Sequence, residues 1–404
     1  MTAVATRWPV VWMTFGAGIV AAAHVGKLPA ALPLIRAELG VDLVTAGWIA
    51  SLISVVSFAL GIAAGGIADL VGKRRLVLGG LAAFAAGGVL GGFAPNAATL
   101  LVARFVEGLG FAAATVAGGA LIAHATAAAD RRWALGVWAA YMPIGFGGLL
   151  LLSPPLVEHL GWRMLWLSVA AVAALWAAAF HWATRAWRPL APRAARSGLV
   201  SSVGRAVAAP GAALVAACFG LYAAQHISLM VWLPTMVTET WGTGLALAAA
   251  VPAAVLACNA AGSYVGARAM RRGVPLWLLL AVGSAGMGVA ELGIFGGVLP
   301  PVARLAFGAL FGVAGGLIPA AALAAAPVYA PSPALVGSVG GLMVMGSNAG
   351  QLFGPPALAA VRSHGTSWDS VVSLMLVMAV AGVACALASR PAERRLRTTP
   401  QAGG

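Results

Sequence analysis

The chain has 404 residues, 61% hydrophobic and 8% charged, and its 24 basic against 10 acidic residues give a formal net charge of +14. A water-soluble domain carries about 25% charged residues, so this composition excludes one. The three cysteines, Cys218, Cys258 and Cys385, fall within apolar runs and make no disulfide framework.

A helix that crosses a bilayer needs roughly 20 mostly apolar residues. Runs of that kind begin near residues 9, 43, 76, 99, 134, 164, 210, 244, 275, 301, 335 and 368, twelve in all. The expected fold is therefore all-α, a polytopic membrane protein with two six-helix bundles. Residues 1–185 form the first bundle, 186–209 a cytoplasmic linker rich in Arg, Pro and Ser, 210–389 the second bundle and 390–404 a basic cytoplasmic tail. Turns are expected at short polar groups such as Pro95-Asn96 and Asp130-Arg131-Arg132.

Ionisable residues inside such spans are costly and mark a water-filled path or a mutual pair. In the first span His24 and Lys27 are three residues apart and share a helical face. Pro29 and Pro33 follow and should kink this helix, as Pro234 should kink the seventh. Arg104 and Glu107 lie three apart in the fourth span, close enough to pair. Trp138 and Tyr141 sit in the fifth. Gln225 and His226 lie in the seventh span, Asn259 in the eighth, and Asn348 and Gln351 in the eleventh, each able to hydrogen-bond a solute or bridge helices. Glu291, alone in the ninth, reads as structural. Gly346, Gly350 and Gly354 make a small-residue stripe in the eleventh span that would let another backbone approach.

The basic residues follow a topological pattern rather than a nucleic-acid-binding one. With the N-terminus in the cytoplasm, the inner segments hold Arg7, Lys73-Arg74-Arg75, Arg131-Arg132, Arg185 to Arg205, Arg268 to Arg272 and the tail arginines. Only Arg36, Arg163 and Arg362 fall outside. This is the positive-inside rule and it places both termini in the cytoplasm.

The second half repeats the first at an offset of about 200 residues. Ala103-Arg104-x-x-x-Gly108 returns as Ala303-Arg304-x-x-x-Gly308, Ser153-Pro154-Pro155 as Gly354-Pro355-Pro356, and Leu32-Pro33 with Glu38 as Leu233-Pro234 with Glu239. The opening apolar run, with Arg7 before it and Ala21-Ala22-Ala23 after, imitates a secretory signal. Its repeat counterpart at 210–236 lies where no signal can, and that rejects the signal reading. Duplicated hydrophobic units of this size build many secondary transporters, with the solute site between the halves. No phosphate-binding loop and no catalytic triad can be assembled, so neither an ATP-driven pump nor an enzyme is expected, and no cofactor.

At this point the chain resembles the major facilitator superfamily over essentially its whole length. The signature between the second and third spans is matched by Gly65-Gly66-Ile67-Ala68-Asp69-Leu70-Val71-Gly72-Lys73-Arg74, with Leu70 where the family usually has a basic residue. The fourth-span signature is matched by Arg104, Gly108 and Gly110. The Gly-Pro antiporter signature of the fifth span is absent around Tyr141-Met142-Pro143. Gly136 to Arg163 is similar to bacterial permeases of the cyanate and nitroimidazole group.

The resemblance implies alternating access, a bacterial inner-membrane location, a monomer, and a small, anionic solute moved with a coupling ion, most simply a proton. It implies a cytoplasmic gate at Gly65, Asp69, Gly72, Lys73 and Arg74. Lys27, His24, His226, Gln225, Tyr141 and Asn348 would bind the solute, and Arg104, Glu107, His24 and His226 would couple protons. Lys27 either offers its charge to an anion or pairs with a carboxylate. Arg104 and Glu107 either couple protons or only fix helix packing. The alternatives are proton-driven efflux of drugs or metabolites, Cu(I) import through His226 and Met230, and a membrane receptor that moves nothing. No resident metal is expected.

Overall fold

The computed structural model describes residues 5–61, 71–187, 204–209, 211–297, 299–332, 335–365 and 367–398, and every regular element among them is helical. We label the long helices α1 (Trp8–Leu39), α2 (Leu43–Leu60), α3 (Lys73–Gly92), α4 (Ala97–Ala125), α5 (Ala128–Ala139), α6 (Gly148–Thr184), α7 (Ala212–Trp241), α8 (Leu245–Arg271), α9 (Leu276–Phe295), α10 (Pro301–Tyr329), α11 (Val336–His364) and α12 (Val372–Thr398). Among the described residues, ten stretches are long and apolar enough to cross a membrane. One of these, Ala128–Thr184, has 57 residues, or about 85 Å of helix at 1.5 Å per residue, far more than one crossing of a ~30 Å core. It runs from α5 through a π turn at Pro143–Gly147 into α6 and breaks at Gly161, whose φ of 77° is open to glycine but strained for other residues. It therefore counts as two crossings. The 29-residue α11 is long enough to cross as well but is less apolar than those ten, and with it the stretches long enough to cross number twelve among the described residues.

Local chemistry sets the helix ends. Asp42 caps α2, its carboxylate accepting the Thr45 N–H at 2.7 Å. That bond holds the Asp42 carboxyl below its ordinary range. Asn96 caps α4 through the Thr99 N–H at 2.9 Å, where the polar pair Pro95-Asn96 predicts a turn. Asp130-Arg131-Arg132 is not a turn. α5 already begins at Ala128, and Asp130 sits in its first turn, where a carboxylate meets the positive end of the helix dipole. Thr6 donates to this carboxylate at 2.5 Å, which adds a reason for the helix to start early.

The chain divides into two compact units, Met1–Ser197 with Val237–Ala253 and Gly198–Met236 with Ala254–Gly404. In the first unit α3 packs along α4 and α6, and α1 packs along α6 and α4. On its rim Arg163 donates to the Glu38 carboxylate at 2.9 Å and to the carbonyls of Gly92 and Ala94, tying the ends of α1 and α3 to α6 just past its break at Gly161. In the second unit α9 packs along α10 and α12. The glycine stripe of α11 lies against α7: a Cβ at Gly346, Gly350 or Gly354 would run into the backbone of Ala216, Gly220 or Ala224. The three cysteines are free thiols, Cys218 buried and Cys258 and Cys385 partly so. Much of the linker expected at 186–209 lies outside the described residues.

Candidate functional site

Four of the sequence-selected residues meet in one place inside the first unit. Each is fully buried: His24, Lys27, Arg104 and Glu107 expose 0% of their surface. The Lys27 ammonium donates to Glu107 Oε1 at 2.5 Å, and Arg104 Nη1 donates to Glu107 Oε2 at 2.6 Å. His24 Nδ1 lies 3.2 Å from Lys27 Nζ and 3.3 Å from Glu107 Oε1. Arg104 also binds backbone oxygens of two other helices, Ile49 O and His24 O, both at 2.9 Å, and reaches Ala50 O at 3.5 Å.

The surrounding helices make this arrangement possible. Three-residue spacing on α1 presents His24 and Lys27 together, and the same spacing on α4 presents Arg104 and Glu107. α3 closes the side with small residues: a Cβ at Gly87 would strike Glu107, and one at Gly88 would strike Ala170. Phe84 of α3 stacks on the His24 ring at 4.4 Å between centroids. Trp166 of α6 lies under the Lys27 ammonium, 4.4 Å from ring centre to Nζ, a cation–π contact strengthened by the absence of water. Sequence reasoning did not find Phe84 or Trp166, since aromatic residues in apolar helices carry no mark of what they touch.

The electrostatics of the group are lopsided. Two cationic side chains face one carboxylate, so with both charged and a neutral imidazole the cluster carries one surplus positive charge. Two ring nitrogens at its edge, His24 Nε2 and Trp166 Nε1, are buried with no hydrogen-bond partner among the described residues. A proton added to Glu107 would remove the only negative charge and leave Lys27 and Arg104 repelling each other across α1 and α4.

The other sequence-selected residues lie elsewhere. Tyr141 stacks on Trp138 at 4.5 Å, and the pair covers Gly18 of α1. In the second unit His226 is half-buried in a column of rings, 5.3 Å from Tyr222 and 6.2 Å from Phe311. Gln225 and Asn348 each donate back to their own helix, to Leu221 O and Val344 O at 2.9 Å. Of the gate residues, Gly72 and Lys73 begin α3. Arg74 ties that end to the end of α6 through Thr184 Oγ1 at 2.9 Å and His181 O at 3.1 Å. Gly65 and Asp69 lie outside the described residues. Of the two readings of Lys27, the geometry shows the ion pair: its ammonium is taken up by Glu107, with no exposed surface.

A sequence model of the Major Facilitator Superfamily matches residues 13–332. The chain is 38% identical over 117 residues to the multidrug resistance protein Stp of Mycobacterium tuberculosis, covering 28% of this chain and 22% of that protein. It is 36% identical over 138 residues to the multidrug efflux pump LfrA of Mycolicibacterium smegmatis, covering 34% and 27%. It is 34% identical over 134 residues to the puromycin resistance protein pur8 of Streptomyces alboniger, covering 33% and 27%. The chain thus spans about a quarter of the length of these relatives. The crystal structure of a bacterial homolog to the human lysosomal transporter Spinster, inward-facing and unoccupied, superposes with a TM-score of 0.81 at 16% identity, covering 97% of this chain and 98% of that one.

Proposed function

The chain belongs to the major facilitator superfamily, and we propose that it is a proton-driven exporter of amphipathic organic compounds, with the His24–Lys27–Arg104–Glu107 cluster as its coupling centre. The observation that carries this reading is the Glu107 carboxylate held between Lys27 and Arg104 with no exposed surface. An ammonium so engaged is poorly placed to receive an anionic solute, whereas a carboxylate that locks two cations is well placed to respond to a proton. Protonation of Glu107 releases the attraction between α1 and α4, and deprotonation restores it. Coupling follows if the two ends of the transport cycle differ in proton affinity. The resistance and efflux proteins that match part of the chain support an organic cargo. The distribution of basic residues supports a bacterial inner-membrane location with both termini in the cytoplasm, and a monomer suffices for the mechanism.

A second reading, transport of a small anion, is favoured by the surplus positive charge of the same cluster. It requires the Lys27–Glu107 pair to open and admit the solute to Lys27.

Purified protein in liposomes with an imposed pH gradient tests both. Ethidium, a lipophilic cation, should be moved by the gradient in the wild type, and Glu107→Gln should abolish that dependence. Ethidium movement by Glu107→Gln with the wild type's dependence on the gradient would sink the first reading. Gradient-driven uptake of benzoate that Lys27→Ala removes, with no movement of ethidium, would install the second.

A further inference from the structure

The interior of the second unit holds a carboxyl group that nothing described so far uses. Glu291 is fully buried one turn before the C-terminal end of α9, and neither of its oxygens has a hydrogen-bond partner among the described residues. Two short connections, 242–244 and 272–275, join α7, α8 and α9, so α7 and α9 run in the same direction. Their relative register is fixed by Cys218 Sγ, 3.8 Å from Ser284 Oγ. Seven residues further along each helix stand Gln225 and Glu291. Seven residues are two turns, about 10.5 Å of rise and within ~20° of the same face. The register therefore sets Gln225 opposite Glu291, as it sets Cys218 opposite Ser284.

The two side chains are complementary in one protonation state only. Gln225 spends its amide N–H on Leu221 O at 2.9 Å, and its Oε1 is buried without a partner. An ionised Glu291 would therefore face another acceptor, as an unpaired charge in apolar surroundings, a costly arrangement that a proton or a counter-ion removes. The remaining neighbours supply no counter-ion. α10 brings Phe307, against Gly293, and Phe311, stacked on His226. α12 brings Ala379, against Gly288, and one turn away the buried Met375.

The ionisable groups on these elements lie apart from Glu291. Arg304 is at the start of α10 with its Nε on Leu299 O at 2.9 Å. At the opposite end of α9, Glu393 accepts the N–H groups of Leu276 and Trp277 at 2.9 Å, and Arg390 lies over the Trp277 ring. Asp369 is exposed in the turn before α12. Cys218 faces Ser284 two turns below, and Cys385 is on α12. Tyr222 accepts from Asn259 at 3.1 Å. His226 follows Gln225 directly and is the ionisable side chain of α7 nearest this level. A calcium-like hard cation takes about 6–8 oxygen ligands, and among the described residues the partnerless oxygens at this level are those of Glu291 and Gln225, with Ser228 Oγ one turn on and turned towards Gly354 of α11. A proton fits.

We infer that Glu291 and Gln225 form a proton-binding site in the second unit, separate from the charge cluster of the first. Buried, Glu291 carries the proton as a carboxylic acid and donates its O–H to Gln225 Oε1. When water reaches α9 the proton passes to water and the carboxylate forms.

Infrared difference spectroscopy on the full-length protein in lipid nanodiscs tests this. Carbon-13 labelling of glutamate should shift a carboxylic-acid C=O band present at neutral pH, and raising the pH should convert that band reversibly to carboxylate. Glu291→Gln should delete the band, and Gln225→Leu should move it to higher frequency by removing the hydrogen bond. A neutral-pH spectrum with no label-sensitive acid band overturns the assignment, as does a band that survives Glu291→Gln or stays in place in Gln225→Leu. Loss of the band on adding sodium at constant pH would make the occupant a sodium ion and overturn it too. The ethidium assay on Glu107→Gln is independent, so failure of either idea leaves the other standing.

Discussion

The surplus charge of the first-unit cluster can be weighed by removing its members one at a time. Replacing Glu107 by Gln leaves Lys27 and Arg104 without their carboxylate in a region with no exposed surface. Arg104 keeps three backbone oxygens, but Lys27 keeps only His24 Nδ1 and the face of Trp166. Breaking a buried ion pair by deleting one partner costs about 3–5 kcal/mol, and here both orphaned groups are cations. Replacing Lys27 by Met does the opposite, since the remaining Arg104–Glu107 pair is balanced and hydrogen-bonded at 2.6 Å. That change should cost about 1.5–3 kcal/mol, the range for a hydrogen bond to a charged group. Thermal unfolding in detergent, followed by tryptophan fluorescence, should therefore place Glu107→Gln well below Lys27→Met. The double variant Lys27→Met/Glu107→Gln should recover part of the loss, because one of the two stranded cations is gone. If Lys27→Met unfolds at or below the temperature of Glu107→Gln, the charge reckoning is wrong.

Three further outcomes follow from features outside the cluster. Gly350→Ala drives a Cβ into the Gly220 backbone, which cannot swing aside as a side chain would; overpacking of about 1–3 kcal/mol should appear as a lowered unfolding temperature, while Gly148→Ala, where nothing lies near, should be close to neutral. Asp42→Ala removes the cap of α2 and should cost about 1 kcal/mol. Since the folded state lowers the Asp42 pKa, its contribution is complete above the ordinary aspartate value of about 3.9 and fades as the pH falls through the folded value, so wild type and variant should converge in acid denaturation. Arg163→Ala removes the tie of the ends of α1 and α3 to α6 and should raise amide hydrogen exchange at Gly91 to Ala94, with little change at the buried cluster.

The spans were legible because lipid demands long apolar runs; the predicted starts at 43, 275, 301 and 335 fall within a residue of helices α2, α9, α10 and α11. The start of α5 was not, because Asp130 and the arginines after it look like a loop until the helix dipole and Thr6 are considered. Within the site, each three-residue pair was visible, but the meeting of Lys27 with Glu107 joins residues 80 positions apart and depends on how α1 crosses α4. The repeat held a clue to it. With His226 as counterpart of His24, the counterpart of Lys27 is Leu229 and that of Glu107 is Phe307, so both charges vanish together in the second half. A pair lost as a pair is what contact between the two would leave behind. Glu291 had no such signal, because its opposite number emerges only once Cys218 and Ser284 fix the register of α7 against α9.

The contact of α11 with α7 limits how the second unit can deform. At three successive turns the closest approach is main chain to main chain, which cannot re-orient as a side chain would when one helix slides past the other. A slip of one turn along the axis, about 5.4 Å, would bring a large side chain into one end of the narrow gap, Met343 from one side or Leu358 from the other, and the gap has no room for it. The two helices therefore travel as a single rod, and any rearrangement within this unit has to hinge at its other seams.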